Sequence, residues 1–390
     1  MIFKTASPIS PDVSINIDNV NVDYMALHRI SLEQRENQHD MLILDFGGFS
    51  PDTFSDYLEK PITVSINYPN LEPAEFYGYI AFLEPVSVTA QGLVNGSPFQ
   101  MIRVYCMGAS YLMKSKVSKS WEDVSIVDLA KEVALKYDFS LSVPKDNYRF
   151  SRIAQTAESD WELLVRIAKQ LGYAVTLHGT HLHIWDSYKA LRREISYTTL
   201  RTIKGLDGDV TPDLGQIIMF EAQYGAITPE ATRAPDTIHV LDRYGKVVSI
   251  SNSLTEETSG LGNPLVSIFN NVLNENADTY EMGHRAVSAA LRTGFSVTAK
   301  VMITGLPVIK PGSVVRIDKY ESDLDGYWYV QEVQHQITKS EMVSYLKIAT
   351  DSKPPQTLGG NIVRPYVTPP EPNLLKGKWV TGASFTEIYE

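Results

Sequence analysis

His178, His181 and His183 have the spacing in this chain that comes nearest to a metal site. On a hairpin, His181 and His183 share a face and His178 approaches from the facing strand, so three imidazoles could hold zinc with one position open for catalysis. The competing reading is the polar face of a hairpin, since no acidic partner for the imidazoles is evident. No metal is expected, and these three are the best candidates for one. Glu158, Asp160 and Glu162 form the densest carboxylate cluster, and glycosidases work with paired carboxylates. Ser159 with Glu162 three residues on is also a helix-capping signature, and acidic side chains in a first turn favour the positive end of the helix dipole. Capping is the expectation here. Asp323-Leu324-Asp325-Gly326 opens like a calcium loop, but Tyr327-Trp328-Tyr329 brings no further oxygen ligands, which leaves a tight hairpin turn. Gly260-Leu261-Gly262 lacks the third glycine of a dinucleotide loop. There is no G-x-S-x-G, H-E-x-x-H or Walker A pattern, so neither a catalytic residue nor a cofactor is expected. The lone cysteine, Cys106, excludes an internal disulfide and reads as a small buried thiol in an apolar strand.

The elements that carry these residues fall into blocks. Up to about residue 118 the chain reads as short strands: 41–46 is apolar and stopped by Gly47-Gly48, 62–66 alternates with period two, and 76–83 and 101–106 follow. The pattern then changes. Ser125 and Asp128 cap a helix with Ile126, Leu129, Ala130, Val133 and Tyr137 on one face. Ser159 and Glu162 open a second, carrying Trp161, Leu164, Val165, Ala168 and Leu171, and Gly172 ends it. Two strands, 173–177 and 181–185, turn at Gly179-Thr180. From 196 the β pattern returns, with one helical stretch over 280–291, then 295–303, 314–317, 327–330, 332–337 and 343–348. The expected fold is mainly β, with two β-barrels flanking a small α+β insert. The boundaries are an arm at 1–22, a first barrel at 23–118, the insert at 119–195, a second barrel with one helix at 196–352, and a proline-rich arm at 353–390. The two β regions read as distant repeats of one barrel without any residue-level period. Trp379, Phe385, Ile388 and Tyr389 in the last segment suit an arm that orders on a partner.

Composition bounds the partners. With 46 acidic against 35 basic side chains and a formal net charge of −11, the chain lacks the basic balance of a protein that grips nucleic acid by its phosphates. Hydrophobic residues at 43% give ample core. MIFKTASPIS has no apolar signal-peptide core, and no run of eighteen apolar residues encodes a membrane span, so a soluble protein made in a reducing compartment is expected.

The run Gln155-Thr156-Ala157-Glu158-Ser159-Asp160-Trp161-Glu162-Leu163-Leu164-Val165-Arg166-Ile167-Ala168, continuing to Gly172-Tyr173, resembles the helix–hairpin element of phage tail protein D, the baseplate hub family of contractile-tailed phages, and the hub part of type VI secretion spike proteins. Ile303-Thr304-Gly305-Leu306-Pro307, Pro311-Gly312, Asp325 to Val330 and Val333-Gln334-His335 are similar to that family's last barrel. The order of barrel, insert and barrel also fits, so the resemblance covers roughly 20–350. It implies tail-tube-like barrels and a homotrimer whose paired barrels make a pseudo-sixfold ring between the hexameric tail tube and a trimeric spike. DNA would cross the bore without specific binding. It further implies contact with other baseplate proteins and a place in the virion tail after assembly in the host cytoplasm. On this reading Trp161 is a core residue. The alternatives are a tail-tip peptidoglycan hydrolase acting through Glu158, Asp160 or Glu162, the hub of a secretion-type contractile injection device, and a carbohydrate-binding module with Tyr327, Trp328 and Tyr329 as its platform.

Overall fold

The computed structural model describes residues 11–22, 27–47, 55–67, 73–88, 99–146, 148–187, 197–202, 216–224, 237–241, 247–251, 297–306, 308–318, 324–338, 341–350, 377–380 and 384–387. Period-two alternation drives its first strands. Val13, Ile15 and Ile17 point inward from β1 (Asp12–Ile17) while their neighbours face water, the pattern of a strand with one buried face. Asp18 and Asn19, with φ of 49° and 66°, then turn the chain into β2 (Val20–Val22), a two-residue hairpin of the type Asp and Asn tolerate. The second half of the expected N-terminal arm is therefore part of a sheet, and β1 pairs along its length with β5 (Pro61–Asn67). Between them lie β3 (Leu27–Arg35) and β4 (Met41–Gly47), followed by β6 (Ala74–Val88) and β7 (Phe99–Gly108). Apolar residues from these strands pack one continuous core with Cys106 inside it, β2 contributing only the partly buried Val22.

A 3-10 turn (Ala109–Lys114) leads from β7 into the insert. Here β8 (Lys116–Val124) pairs antiparallel with β10 (Phe150–Ser159). Helix α1 (Ile126–Tyr137) and helix α2 (Asp160–Gln170) both begin with the capping boxes expected, Ser125 with Asp128 and Ser159 with Glu162. The hairpin β11 (Tyr173–His178) and β12 (His181–Asp186) turns at Gly179, and β9 (Ser140–Ser142) joins it parallel to β12. Trp161, Leu164, Ile167, Leu129 and Val133 share a core of their own, which begins at Ala109. The insert thus starts where β7 ends, ahead of the expected position 119.

The second β region contains β13 (Tyr197–Thr202), β14 (Gln216–Tyr224), the hairpin β15 (Thr237–Leu241) with β16 (Val247–Ser251), β17 (Val297–Thr304), β18 (Val314–Asp318), β19 (Gly326–Thr338) and β20 (Met342–Thr350). It closes on itself, because β18 pairs with both β13 and β19. The two barrels are one 13-stranded sheet, joined where β19 runs antiparallel to β3. Within that sheet β3-β4-β7-β6-β5-β1 and β14-β17-β20-β19-β18-β13 follow the same order. Even the irregularities match. A bulge interrupts β6–β7 between Ile80 and Phe82 and β19–β20 between Val330 and Glu332. Another interrupts β3–β4 between Leu27 and Arg29 and β14–β17 between Ile217 and Met219. Two differences remain: β1 meets β5 antiparallel whereas β13 meets β18 parallel, and β13 pairs with β14 whereas β1 has no described pairing with β3. The helical stretch read over 280–291 lies outside the described residues, as do Gly260-Leu261-Gly262, Asp323, Ile388 and Tyr389. In the last segment β21 (Gly377–Val380) pairs with β22 (Ser384–Glu387), placing Trp379 opposite Phe385 in register.

Candidate functional site

The clustered carboxylates stand where the helix start puts them, and each has a structural partner. Glu162 accepts from the backbone N–H of Ser159 at 2.8 Å and closes the cap of α2. That hydrogen bond holds its pKa below the usual carboxylate value. Glu158 takes a two-pronged grip from Arg166, at 2.9 and 2.8 Å. Burial would raise Asp160, but Lys136 at 2.6 Å, Gln155 at 3.0 Å and Tyr137 at 2.9 Å donate to it and hold its pKa low instead. Neither Asp160 nor Glu162 keeps a proton at neutral pH, which general-acid glycoside cleavage requires of one member of the pair. Lys116, Thr156 and Arg166 line an open depression of about 520 Å³ beside Glu158 and Glu162.

The histidines are near one another but separately engaged. His178 and His181 are cross-strand partners. His181 hydrogen-bonds Ser140 at 2.8 Å and Ser142 at 2.9 Å. His183 lies against Trp185, ring centroids 4.8 Å apart, and its pKa is lowered by burial and then by the other two imidazoles. Among the described residues no group of three His, Cys, Asp or Glu side chains converges to hold an ion. His178 instead faces Asp40, its Nδ1 3.1 Å from a carboxylate oxygen that also accepts from Gln34 at 2.9 Å.

Asp40 marks a site the sequence did not suggest: the tip of the β3–β4 hairpin, where insert and both barrels meet. Asn37 and Val175 exchange hydrogen bonds, 2.8 Å from the Asn37 N–H to the Val175 carbonyl and 3.0 Å from the Val175 N–H to the Asn37 side chain. The Asn37 backbone takes the left-handed φ of 60° that Asn tolerates. His39 lies against Trp161, ring centroids 5.1 Å apart and tilted by 32°, and hydrogen-bonds Ser110 at 2.7 Å. Burial lowers its pKa, against the opposing charges of Asp40 and Glu162. On the other flank the Trp185 indole donates to the Tyr329 hydroxyl at 2.8 Å, and that hydroxyl donates to Glu36. Burial raises the Glu36 pKa well above its usual value, opposed by Lys347. Trp161 is thus both a core residue of the insert and part of its seat on the barrel.

The aromatic run splits by strand alternation. Trp328 faces the interior of the second barrel and donates to the Leu324 carbonyl at 3.0 Å. Tyr327 and Tyr329 face the opposite side, where Trp185 packs against their cluster. All three are buried, so they form no exposed platform for sugar. The turn before them is longer than the tight hairpin expected, because β18 ends at Asp318 and β19 begins at Gly326 itself.

The described residues therefore form a joined pair of similar barrels with an insert bonded at the joint. That arrangement is found in solved structures at low sequence identity. A tail protein from Neisseria meningitidis MC58 matches at 12% identity over 88% of this chain and 98% of its own, with a TM-score of 0.61. The 43 kDa tail protein of prophage MuSo2 from Shewanella oneidensis matches at 12% identity over 90% of this chain and 100% of its own, TM-score 0.56. The chain has the fold of a phage tail protein. An E. coli component of the type VI secretion system, described as structurally similar to T4 bacteriophage tail proteins gp27 and gp5, shares the fold at 9% identity over 88% of this chain and 79% of its own, TM-score 0.54. No protein-family model and no curated protein matches the sequence. Within this tail-protein fold no described helix is long and apolar enough to cross a membrane.

Proposed function

We propose that the chain is the structural hub of a phage baseplate or tail tip, not an enzyme. Three copies form a pseudo-sixfold ring that joins the hexameric tail tube on one face to a trimeric spike on the other, and DNA passes through its bore. The observation that carries this reading is the repeated strand order of the two barrels within one chain. A threefold assembly of such chains presents six equivalent modules to a tube and three to a spike, so one molecule satisfies both symmetries. The fold shared with tail proteins supports the same reading. Function then resides in surfaces, and the paired carboxylates of α2 serve the fold. A net charge of −11 on each chain suits a passage that repels phosphate.

The ring lies in the virion tail, beside other baseplate proteins, after assembly in the host cytoplasm. The hairpin β21–β22 pairs with no other strand among the described residues, and a lone two-stranded hairpin is marginal in water. We assign residues 353–390, with Trp379, Phe385, Ile388 and Tyr389, to an arm that holds the spike. Deleting 353–390 is expected to leave the ring intact and abolish spike retention, read by co-purification; unchanged retention removes the arm from this role. The hub reading is tested by electron microscopy of the protein mixed with its tail tube protein. Rings capping one end of the tubes are expected, and particles with no bore or no affinity for tubes would defeat it. A secretion-type hub is the second reading, favoured by the E. coli neighbour; presence of the chain in purified virions separates the two.

A further inference from the structure

The joint between the barrels within one chain has a counterpart edge on each barrel. At that joint β3 pairs with the second half of β19, from Arg35↔Glu332 to Arg29↔Thr338. Strand order and bulges equate β19 with β6 and β3 with β14. The counterparts of the two joined edges are the second half of β6 and the edge of β14 that faces away from β17. Both lack a described strand. β5 pairs with β6 only from Ala74 to Tyr79, and β13 reaches β14 only at Gln216 and Ile217.

These edges carry apolar side chains that the internal joint buries. Leu83, Phe220 and Ala222 are only partly covered. Their counterparts Val333, Ile30 and Leu32 are 0%, 0% and 1% exposed. Beside them Phe82 and Ile218 are each 52% exposed and Met219 is 41% exposed. Apolar residues at this exposure on two complementary strand edges favour association.

We propose that a second copy of this chain covers them, with β6 of one copy pairing antiparallel to β14 of the next and repeating the β19–β3 joint. This rests on the ring reading and supplies its contact. The internal register, carried over, sets Leu83 opposite Tyr224, Glu84 opposite Gln223, Pro85 opposite Ala222 and Val86 opposite Glu221. No two acidic residues stand directly opposite each other. The two edges differ, so the contact is head-to-tail, which suits a ring and not a twofold dimer. Pro85 stands where β19 has His335 and offers no N–H, so this ladder has one bond fewer than the internal one. Proline is tolerated on an edge strand, and here it also discourages two β6 edges from pairing with each other.

The test is a cysteine pair, Glu84→Cys with Gln223→Cys, in the full chain, where Cys106 is buried and no other thiol competes. Opposed residues of an antiparallel pair have Cα atoms about 4.5–5.5 Å apart, within the reach of a disulfide. Mild oxidation is expected to give reducible two-chain and three-chain species on a denaturing gel, ending at three. The pair Glu33→Cys with Gln334→Cys, opposed at the internal joint, is expected to close within a single chain. A native trimer in which 84 and 223 never link while the internal pair closes would overturn the proposed contact and leave the ring reading standing. A wild-type chain that stays monomeric would overturn both.

Discussion

His335 is a buried imidazole that makes the stability of the fold depend on pH. Its Nε2 lies 3.3 Å from the Ile309 carbonyl, which can only accept, so Nε2 carries the proton and Nδ1 accepts from Ser344 at 2.7 Å. Burial drives its pKa down to about 4, against the raising effect of the Ile309 hydrogen bond. In the unfolded chain the same group titrates near ~6.5. Between those values the unfolded state binds a proton that the folded state refuses, so stability falls as pH drops through this window, by up to about 3 kcal/mol. His335→Gln is expected to flatten that part of a Tm-versus-pH curve between pH 7 and 4, whatever it costs at neutral pH. An unchanged slope would assign the acid sensitivity elsewhere. His39 and His183, also lowered by burial, contribute in the same window in both proteins and so cancel in the comparison. Residue pairs of this kind are the least legible part of the sequence. The carboxylate facing His178 belongs to Asp40, 138 positions away, and no local spacing could have matched them.

At the scale of elements, what depends on neighbours in sequence was readable and what depends on strand pairing was not. Both capping boxes follow from serine and an acid three residues later. Ser159→Ala is expected to cost about 1 kcal/mol in denaturant unfolding; a neutral result would mean the cap is dispensable. Tyr327-Trp328-Tyr329 divided between two faces because strand side chains alternate. The β1–β2 hairpin also had its signal in Val13, Ile15, Ile17 and the Asp18-Asn19 turn, although the expected arm ran across it. The equivalence of the barrels left no residue period, because a barrel position constrains only which face is apolar. It is carried by strand order and bulge placement, which exist only once strands pair. Close approach of strands is similarly hidden. A Cβ on Gly78 would lie 2.1 Å from the Met107 carbonyl oxygen and 2.8 Å from the Phe76 ring. Gly78→Ala must shift the backbone of β7, at an expected cost of about 1–3 kcal/mol by the same measurement; full stability would show that the first barrel yields there.

At the scale of the molecule, one hairpin tip holds the design together. Residues 36–40 bond the insert through Val175 and His178 and the second barrel through Tyr329 and the Gln331 carbonyl. These contacts tie the insert to both barrels at one place. Sequence composition already argued against a nucleic-acid grip, and the resemblance of 155–173 to tail hubs pointed to assembly. A repeat inside one chain gains its value when several chains close a ring. The measurement that tests this most directly is the mass of the purified full chain in solution, by light scattering across a range of concentrations. Three times 43.6 kDa is the expected result. A mass of one chain at every concentration would contradict it.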